Sequence, residues 1–274
     1  MTSFVHLHSP TAAPKADDFV LVIQGDRLLA SPHVGDSVIL PRYSTVRRWS
    51  DVTVDALHLG LIDERALWAL VIDQPDVVAP EGQQWHETRA LLAAFSPAQW
   101  QAISCARQLL YWERRHRYCG VCGTPTIVVS EERARRCPQC NSVFFPVVSS
   151  AVIVAVTRGD ELLLAHNRNF RPGMFSLLAG FVDPGETLEQ AAVREVREET
   201  GVDISSLEYV TSQPWPFPNS LMVGFRAKYS AGDIKVDGKE IEEAAWFSRS
   251  TLPEIPRPGT IARLIIDQWR NSPR

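Results

Sequence analysis

The stretch Gly180–Val202, GFVDPGETLEQAAVREVREETGV, gathers Glu186, Glu189, Glu195, Glu198 and Glu199 around Arg194 and Arg197. At about 100° per residue, Glu195 and Glu199 fall close to the azimuth of Leu188 and Ala192. Glu198 lies to one side, and Gln190 and Arg197 occupy the opposite face. The acids therefore share the face that turns apolar residues toward the protein body. Carboxylates placed there repel one another and are costly unless positive charge sits among them. Hard oxygen donors of this kind suit Mg²⁺ or Mn²⁺. The competing reading is an ordinary salt-bridged helix with Arg194 and Glu198 as an i,i+4 pair.

A second chemical group is Cys119-Gly-Val-Cys122 and Cys137-Pro-Gln-Cys140, two C-x2-C knuckles separated by fourteen residues. Four thiolates at this spacing can close a tetrahedral Zn²⁺ site, which would be structural. Disulfides or a redox dithiol are the alternatives. No secretory signal supports the first, and the second is not expected twice at this separation. Cys105, far away in sequence, reads as a small buried hydrophobe or a spare thiol. Arg114, Arg115, Arg117, Arg133, Arg135 and Arg136 surround the ribbon. They could hold phosphates of a long substrate. A solvated face partly neutralised by Glu113, Glu131 and Glu132 is the favoured reading.

The third group is Ser212-Gln-Pro-Trp-Pro-Phe-Pro-Asn-Ser220. Three prolines fix φ, so the stretch cannot be a regular central strand and is expected to be a stiff loop. Trp215 and Phe217 then form either a platform for a planar base, where stacking is worth ~1–3 kcal/mol, or a cap over a core. Gln213, Asn219 and Ser220 can supply hydrogen bonds.

These groups need positioning elements. Thr187 and Gln190 form a capping box that starts the acidic helix, and Gly201 suits its left-handed end. Ser96, Pro97 and Gln99 start another helix, expected to reach about Arg117 with Trp100, Ile103, Ala106 and Leu110 on one face. Strands are expected at Ala151–Val156, Glu161–His166, Met174–Val182, Leu207–Gln213, Leu221–Tyr229 and Ala244–Ser248, with a last helix over about Thr260–Arg270. Mixed strands with helices on their faces make an α/β/α sandwich. Upstream, Asp18–Ala30 reads as a strand pair about Gly25-Asp26. Asp55–Val71 reads as strand, helix or both, within a small α+β domain. His33, His58 and His86 lack metal-ligand spacing and read as ordinary surface or core histidines.

With 274 residues, 45% hydrophobic and 22% charged, the chain has the composition of a soluble globular protein with room for more than one domain. A net charge of −4 argues against bulk attraction to nucleic acid. Met1–Pro10 lacks a positive region followed by an apolar run, and the run Val147–Val156 is too short to span a bilayer. The ending NSPR matches no retention or peroxisomal signal. No membrane association and a cytoplasmic location are the expectation.

Gly180, Glu186, Arg194, Glu195, Val196, Glu198, Glu199, Gly201 and Val202 fill every fixed position of G-x5-E-x7-R-E-U-x-E-E-x-G-U. The stretch thus resembles the Nudix box, with U a bulky aliphatic residue. Together with the four-cysteine ribbon and the Ser212–Ser220 array, the chain resembles the NudC-type NADH pyrophosphatases among Nudix hydrolases. The resemblance is close from about Arg117 to the C-terminus. Upstream it rests on order and length. It implies an α/β Nudix sandwich (147–274) preceded by a zinc ribbon (114–146) and an N-terminal α+β domain with its linker helix (1–113).

The resemblance also implies hydrolysis of NAD(H) to AMP and nicotinamide mononucleotide, removal of NAD caps from RNA 5′ ends, catalytic Mg²⁺ or Mn²⁺, and a homodimer. Roles carry over by position. Glu195 and Glu199 become metal ligands, with Glu198 beside them, and Glu198 or Glu199 assists deprotonation of the attacking water. Glu240 and the carbonyl of Ala179 complete the ligand set. Gln213, Pro214, Trp215, Pro216, Phe217, Pro218, Asn219 and Ser220 would bind substrate, together with Glu132 and Ala262. Phe144-Phe145-Pro146 stands where the family often has Tyr-Tyr-Pro, which keeps the stacking ring at Phe145 and loses a hydroxyl. Phe181, inside the box, is placed as an opposing ring. The rival readings are a Nudix hydrolase for ADP-ribose or a diadenosine polyphosphate, a non-catalytic nucleotide sensor, and a zinc-ribbon nucleic-acid binder.

Overall fold

The computed structural model describes residues 3–7, 13–31, 38–47, 53–74, 77–236 and 238–272. The chain forms two compact units, Met1–Val147 and Val148–Arg274. His33 lies outside the described residues.

The first unit contains β1 (Phe4–His6), β2 (Phe19–Gln24), β3 (Arg27–Ala30), a single helical turn α1 (Tyr43–Val46), β4 (Thr53–Ile62), β5 (Arg65–Ile72) and β6 (Gln84–Glu87). The strands form one sheet in the order β1-β4-β5-β2-β3-β6. Phe19–Gln24 and Arg27–Ala30 pair antiparallel about Gly25-Asp26, as the turn residues predict. The ambiguous stretch from Asp55 is a hairpin, not a helix. Asp63 and Glu64 both adopt left-handed φ, 49° and 64°, which is the backbone a two-residue hairpin turn needs. Val20, Val22, Leu29, Trp68 and Leu70 pack its core. His58 is buried against Trp68, with ring centroids 4.7 Å apart, as an ordinary core histidine.

Helix α2 (Pro97–Arg115) opens with the expected capping box: Ser96 accepts from the Gln99 backbone and the Gln99 side chain accepts from the Ser96 backbone. It stops two residues before the expected end, and Leu109 rather than Leu110 joins the buried face. Burial pushes the Cys105 thiol up to about 11, so it is protonated and unreactive at neutral pH. The ribbon follows as β7 (Ile127–Val128), β8 (Arg135–Arg136) and β9 (Val143–Phe144), a three-stranded antiparallel sheet. Arg133 sends its guanidinium to the carbonyls of Leu7, His58 and Leu59, which ties ribbon to sheet within this unit.

The second unit contains β10 (Ser149–Arg158), β11 (Glu161–Asn167), β12 (Leu178–Phe181), α3 (Leu188–Thr200), β13 (Asp203–Trp215), β14 (Ser220–Ala231), β15 (Ile241–Ser248) and α4 (Ile261–Asn271). The sheet order is β13-β14-β10-β11-β15, with β12 also paired to β10. β10 and β14 are parallel and the other pairs antiparallel, so the sheet is mixed.

β10 is an unbroken apolar run because both its faces are covered. Val152, Val154 and Val156 pack with Ala191, Ala192 and Val196 of α3. Ile153 and Ala155 pack with Ile261, Ile265 and Ile266 of α4. This is the expected α/β/α sandwich. One strand is shorter than expected: only Leu178–Phe181 of Met174–Val182 forms a ladder. Met174 and Ser176 make isolated bridges to Glu254 and Ala165 instead, as the segment crosses between strands. No helix among the described residues is long and apolar enough to cross a membrane.

Candidate active site

Helix α3 starts and stops where its sequence dictates. Thr187 accepts from the Gln190 backbone at 3.2 Å, the Gln190 side chain accepts from the Thr187 backbone at 2.9 Å, and Gly201 takes φ 72° at the C-terminus. Such a cap contributes about 1 kcal/mol. Burial follows the predicted azimuths. Glu199 is only 7% exposed and the Glu195 side chain 14%, whereas Glu198 is 62% exposed. All three acids sit in the last two turns, against the negative end of the helix dipole. Local stability would not select that placement, which marks a site with another purpose.

Arg194 organises the acids. Its Nε and Nη2 donate to the two Glu186 oxygens at 2.7 and 2.8 Å, a bidentate fork. Nη1 donates to Glu195 at 2.8 Å and Glu198 at 3.1 Å, and Nη2 also reaches the carbonyl of Phe181 at 2.9 Å. The expected Arg194–Glu198 pair is therefore one arm of a larger hub. Sequence reasoning registered Glu186 and Arg194 as fixed positions but missed the fork between them. Their eight-residue separation spans a loop and shows no helical periodicity.

The fork, with a donation from the Asp183 backbone, holds the Glu186 carboxyl at about 2 instead of its usual 4.5. A depressed carboxylate contributes stability that is complete above its unfolded value and lost as pH falls through the folded one. The stability difference between wild type and Glu186→Gln is thus expected to hold steady from neutral pH to about 5. It should shrink between 4.5 and about 2. Denaturant melts across that range would measure it, and a gap that widens on acidification would contradict the fork.

Glu195 behaves oppositely. Burial raises its pKa, Arg194 opposes, and the charges of Glu198 and Glu240 raise it further. Its seat depends on Gly180: a Cβ there would overlap the Glu195 carboxylate. The missing side chain lets the acid lie against the β12 backbone next to Ala179. Glu240 is exposed, and its carbonyl accepts from the Arg168 backbone at 3.0 Å. A half-buried acid, a buried one and further carboxylates within electrostatic reach, on oxygen chemistry alone, fit a hard divalent cation.

Only part of the Ser212–Ser220 array is the stiff loop its prolines suggest: residues 216–219 form a turn, and the residues before them are strand. β13 continues through Trp215, and Gln213, Pro214 and Trp215 pair with Met222, Leu221 and Ser220 of β14. Proline is tolerated because β13 is the edge of the sheet. Trp215 and Phe217 meet edge to face, 5.2 Å between centroids, and the Phe217–Pro218 peptide is cis. Asn219 and Ser220 are buried, and Asn219 accepts from the Ser149 backbone at 2.9 Å.

Strand register brings array and box together. Ser149 and Ala151 of β10 lie beside Ser220 and Met222 on one side, and Ala151 lies beside Phe181 on the other. Trp215 and Phe181 thus flank the start of β10 at one end of the sheet, with strands ~4.8 Å apart. Phe181 is 58% exposed.

The Gln213 amide, expected to face substrate, is engaged within the protein. It donates to the Gly259 carbonyl and accepts from the Ile261 N–H, each at 2.8 Å. Thr260 caps α4 by accepting from Arg263 at 3.2 Å. Ala262 lies in that first turn, buried on the sheet.

In the first unit, the Sγ atoms of Cys119, Cys122, Cys137 and Cys140 lie within 4.8 Å of one another. The pairs Cys119–Cys140 and Cys122–Cys137 are 3.6 and 3.4 Å apart, and none is disulfide-bonded. A tetrahedral zinc with ~2.3 Å bonds needs sulfurs about 3.8 Å apart, so the cage fits. The Ser142 hydroxyl and backbone lower Cys140 to about 6, whereas Cys137 is raised to about 11 by burial and by the Cys122 and Cys140 side chains. Glu132 and Phe145 are exposed on this ribbon, and Phe144 packs on His116 at 5.5 Å.

Comparison with known proteins agrees with this geometry. Residues 148–267 match the NUDIX domain, 114–145 the NADH pyrophosphatase zinc ribbon domain, and 17–112 the NADH pyrophosphatase-like rudimentary NUDIX domain. A relative from Stutzerimonas stutzeri, named NAD-capped RNA hydrolase NudC, is 42% identical over 86% of this chain and 85% of its own. One of the same name from Pseudomonas syringae pv. tomato is 41% identical over 93% and 90%. A third, from Pseudomonas aeruginosa, is 45% identical over 74% and 72%. The sulfur cage falls within the matched zinc ribbon, the box helix and the proline-rich hairpin fall within the matched NUDIX domain, and the chain belongs to the NudC-type NADH pyrophosphatase family of Nudix hydrolases.

Proposed function

We propose that the protein hydrolyses the diphosphate of NAD(H), giving AMP and nicotinamide mononucleotide, and removes NAD from the 5′ ends of RNA. One observation carries the reading. Strand β12, against whose Gly180 the Glu195 carboxylate lies, and the aromatic hairpin both meet the start of β10, an arrangement that would set a ring-binding surface beside a cation-binding one. A dinucleotide needs both, since it joins planar rings through two phosphates. The relatives named NAD-capped RNA hydrolase support the choice of dinucleotide.

Glu195, Glu199, Glu240 and the Ala179 carbonyl would hold Mg²⁺ or Mn²⁺. Such an ion neutralises charge on the transferring phosphoryl group and lowers the pKa of a bound water. Arg194 keeps Glu195 and Glu198 oriented and offsets their repulsion. Glu198, whose side chain is 62% exposed, or Glu199 accepts the proton of the attacking water. Trp215 and Phe217, with Phe181 opposite, stack the rings, and Pro214, Pro216, Pro218, Asn219 and Ser220 shape the hairpin that presents them. Ala262, Glu132 and Phe145 are assigned to substrate contact in the same reading. Zn²⁺ in the cysteine cage is structural. A homodimer working in the cytoplasm completes it.

The test is a product panel. NADH, NAD-capped RNA, ADP-ribose and a diadenosine polyphosphate are each incubated with the pure chain and Mg²⁺ or Mn²⁺. AMP and reduced nicotinamide mononucleotide from NADH, with kcat/KM highest on NADH or NAD-capped RNA, are expected. Preference for ADP-ribose would contradict the reading.

A further inference from the structure

We propose that Gln213 is a positioning residue: its amide clamps the start of α4 to the edge strand β13. The inference rests on the proposed function for what is being positioned, but its geometry stands alone. Gln213 reaches 46 and 48 residues along the chain to the Gly259 carbonyl and the Ile261 N–H. A donor and an acceptor meet an acceptor and a donor two residues apart, the same two-point pattern by which one strand recognises another. The amide therefore extends the edge of the sheet onto the segment that leads into α4.

That segment needs fixing. Gly259 sits at φ 91°, where the chain turns into the helix. The first helical N–H groups have no partner inside the helix. Gln213 takes that of Ile261 and Thr260 takes that of Arg263. Lateral placement comes from elsewhere. Ile261 and Ile265 press onto β14 at Gly224, where an added Cβ would meet both side chains. Packing thus fixes how closely α4 lies on the sheet, and Gln213 fixes where its first turn begins relative to Trp215 and Phe217. The clamp uses one N–H and one lone pair of the Gln213 amide, and a glutamine amide has two of each. Losing the clamp should loosen the Ala262 turn against the hairpin before substrate arrives, so binding would weaken while the bonds broken in turnover would not change.

Two variants of the full chain separate the possibilities. Gln213→Met keeps length and removes both hydrogen bonds. Gln213→Glu keeps the acceptor for Ile261 and loses the donor to Gly259. In ligand-free protein the Ile261 amide is expected to exchange about tenfold faster in Gln213→Met, and close to the wild-type rate in Gln213→Glu. With NADH, Gln213→Met is expected to raise KM about tenfold with kcat within about twofold. Unchanged Ile261 exchange in Gln213→Met overturns the clamp. Faster exchange with an unchanged KM overturns its positioning role, and a raised KM with unchanged exchange makes Gln213 a substrate contact instead. Wild type that leaves NADH intact overturns the functional reading alone, and the exchange result still decides the clamp.

Discussion

Replacing Glu199 by glutamine is expected to lower kcat on NADH by roughly 10²–10⁴-fold, the range seen when a proton-transfer group is removed, and to leave the fold intact. The amide has the shape of the acid, so the packing of this 7%-exposed side chain against the sheet is kept. What is lost is a negative charge near Glu195, and with it the affinity for a divalent ion. The same loss relieves repulsion on a helix whose acids crowd its negative end. The melting temperature of Glu199→Gln should therefore equal or exceed that of wild type. An inactive but equally stable variant separates a functional acid from a structural one. Near-normal turnover would remove the role, and a large drop in melting temperature would make Glu199 a fold residue.

The second large effect is expected at Cys137, which is wholly buried among the sulfurs. Structural zinc in small peptides contributes ~10–16 kcal/mol of binding free energy that is also folding free energy. The ribbon strands are two residues each and bury few apolar side chains. Without metal they have little to hold them. Cys137→Ser should reduce zinc from about one per chain to near none and open the ribbon to proteolysis between Arg117 and Phe145. Residues 148–274 have their own apolar clusters on both faces of the sheet, so their melting transition should survive. Zinc analysis and limited proteolysis check this. A Cys137→Ser ribbon that resists protease with no zinc bound would refute it.

How much of this was legible in the sequence depended on the range of each interaction. Both capping boxes and the Gly201 stop were read correctly, because a cap is decided by residues three apart. So were the azimuths of Glu195, Glu198 and Glu199, and the four-sulfur cage. Interactions that close over longer distances were not. The Glu186–Arg194 fork spans a loop. The Gln213 bridge to Gly259 and Ile261 joins an edge strand to a helix more than forty residues on. The first part of the proline array, up to Trp215, was misjudged as loop for a related reason, whereas residues 216–219 do form a turn. Proline forbids a central strand, and nothing local says that β13 is at the edge. Met174–Val182 erred the other way, since apolar residues there serve two different neighbours and not one ladder.

The central claim is that a cation-gathering acid cluster cleaves a dinucleotide diphosphate. It is tested most directly by following NADH with the pure, zinc-loaded protein while Mg²⁺ or Mn²⁺ is titrated. The account predicts saturable, metal-dependent release of AMP and reduced nicotinamide mononucleotide in equal amounts, abolished when the added ion is chelated. NADH left intact over hours at saturating metal, or cleaved equally well without it, would contradict it.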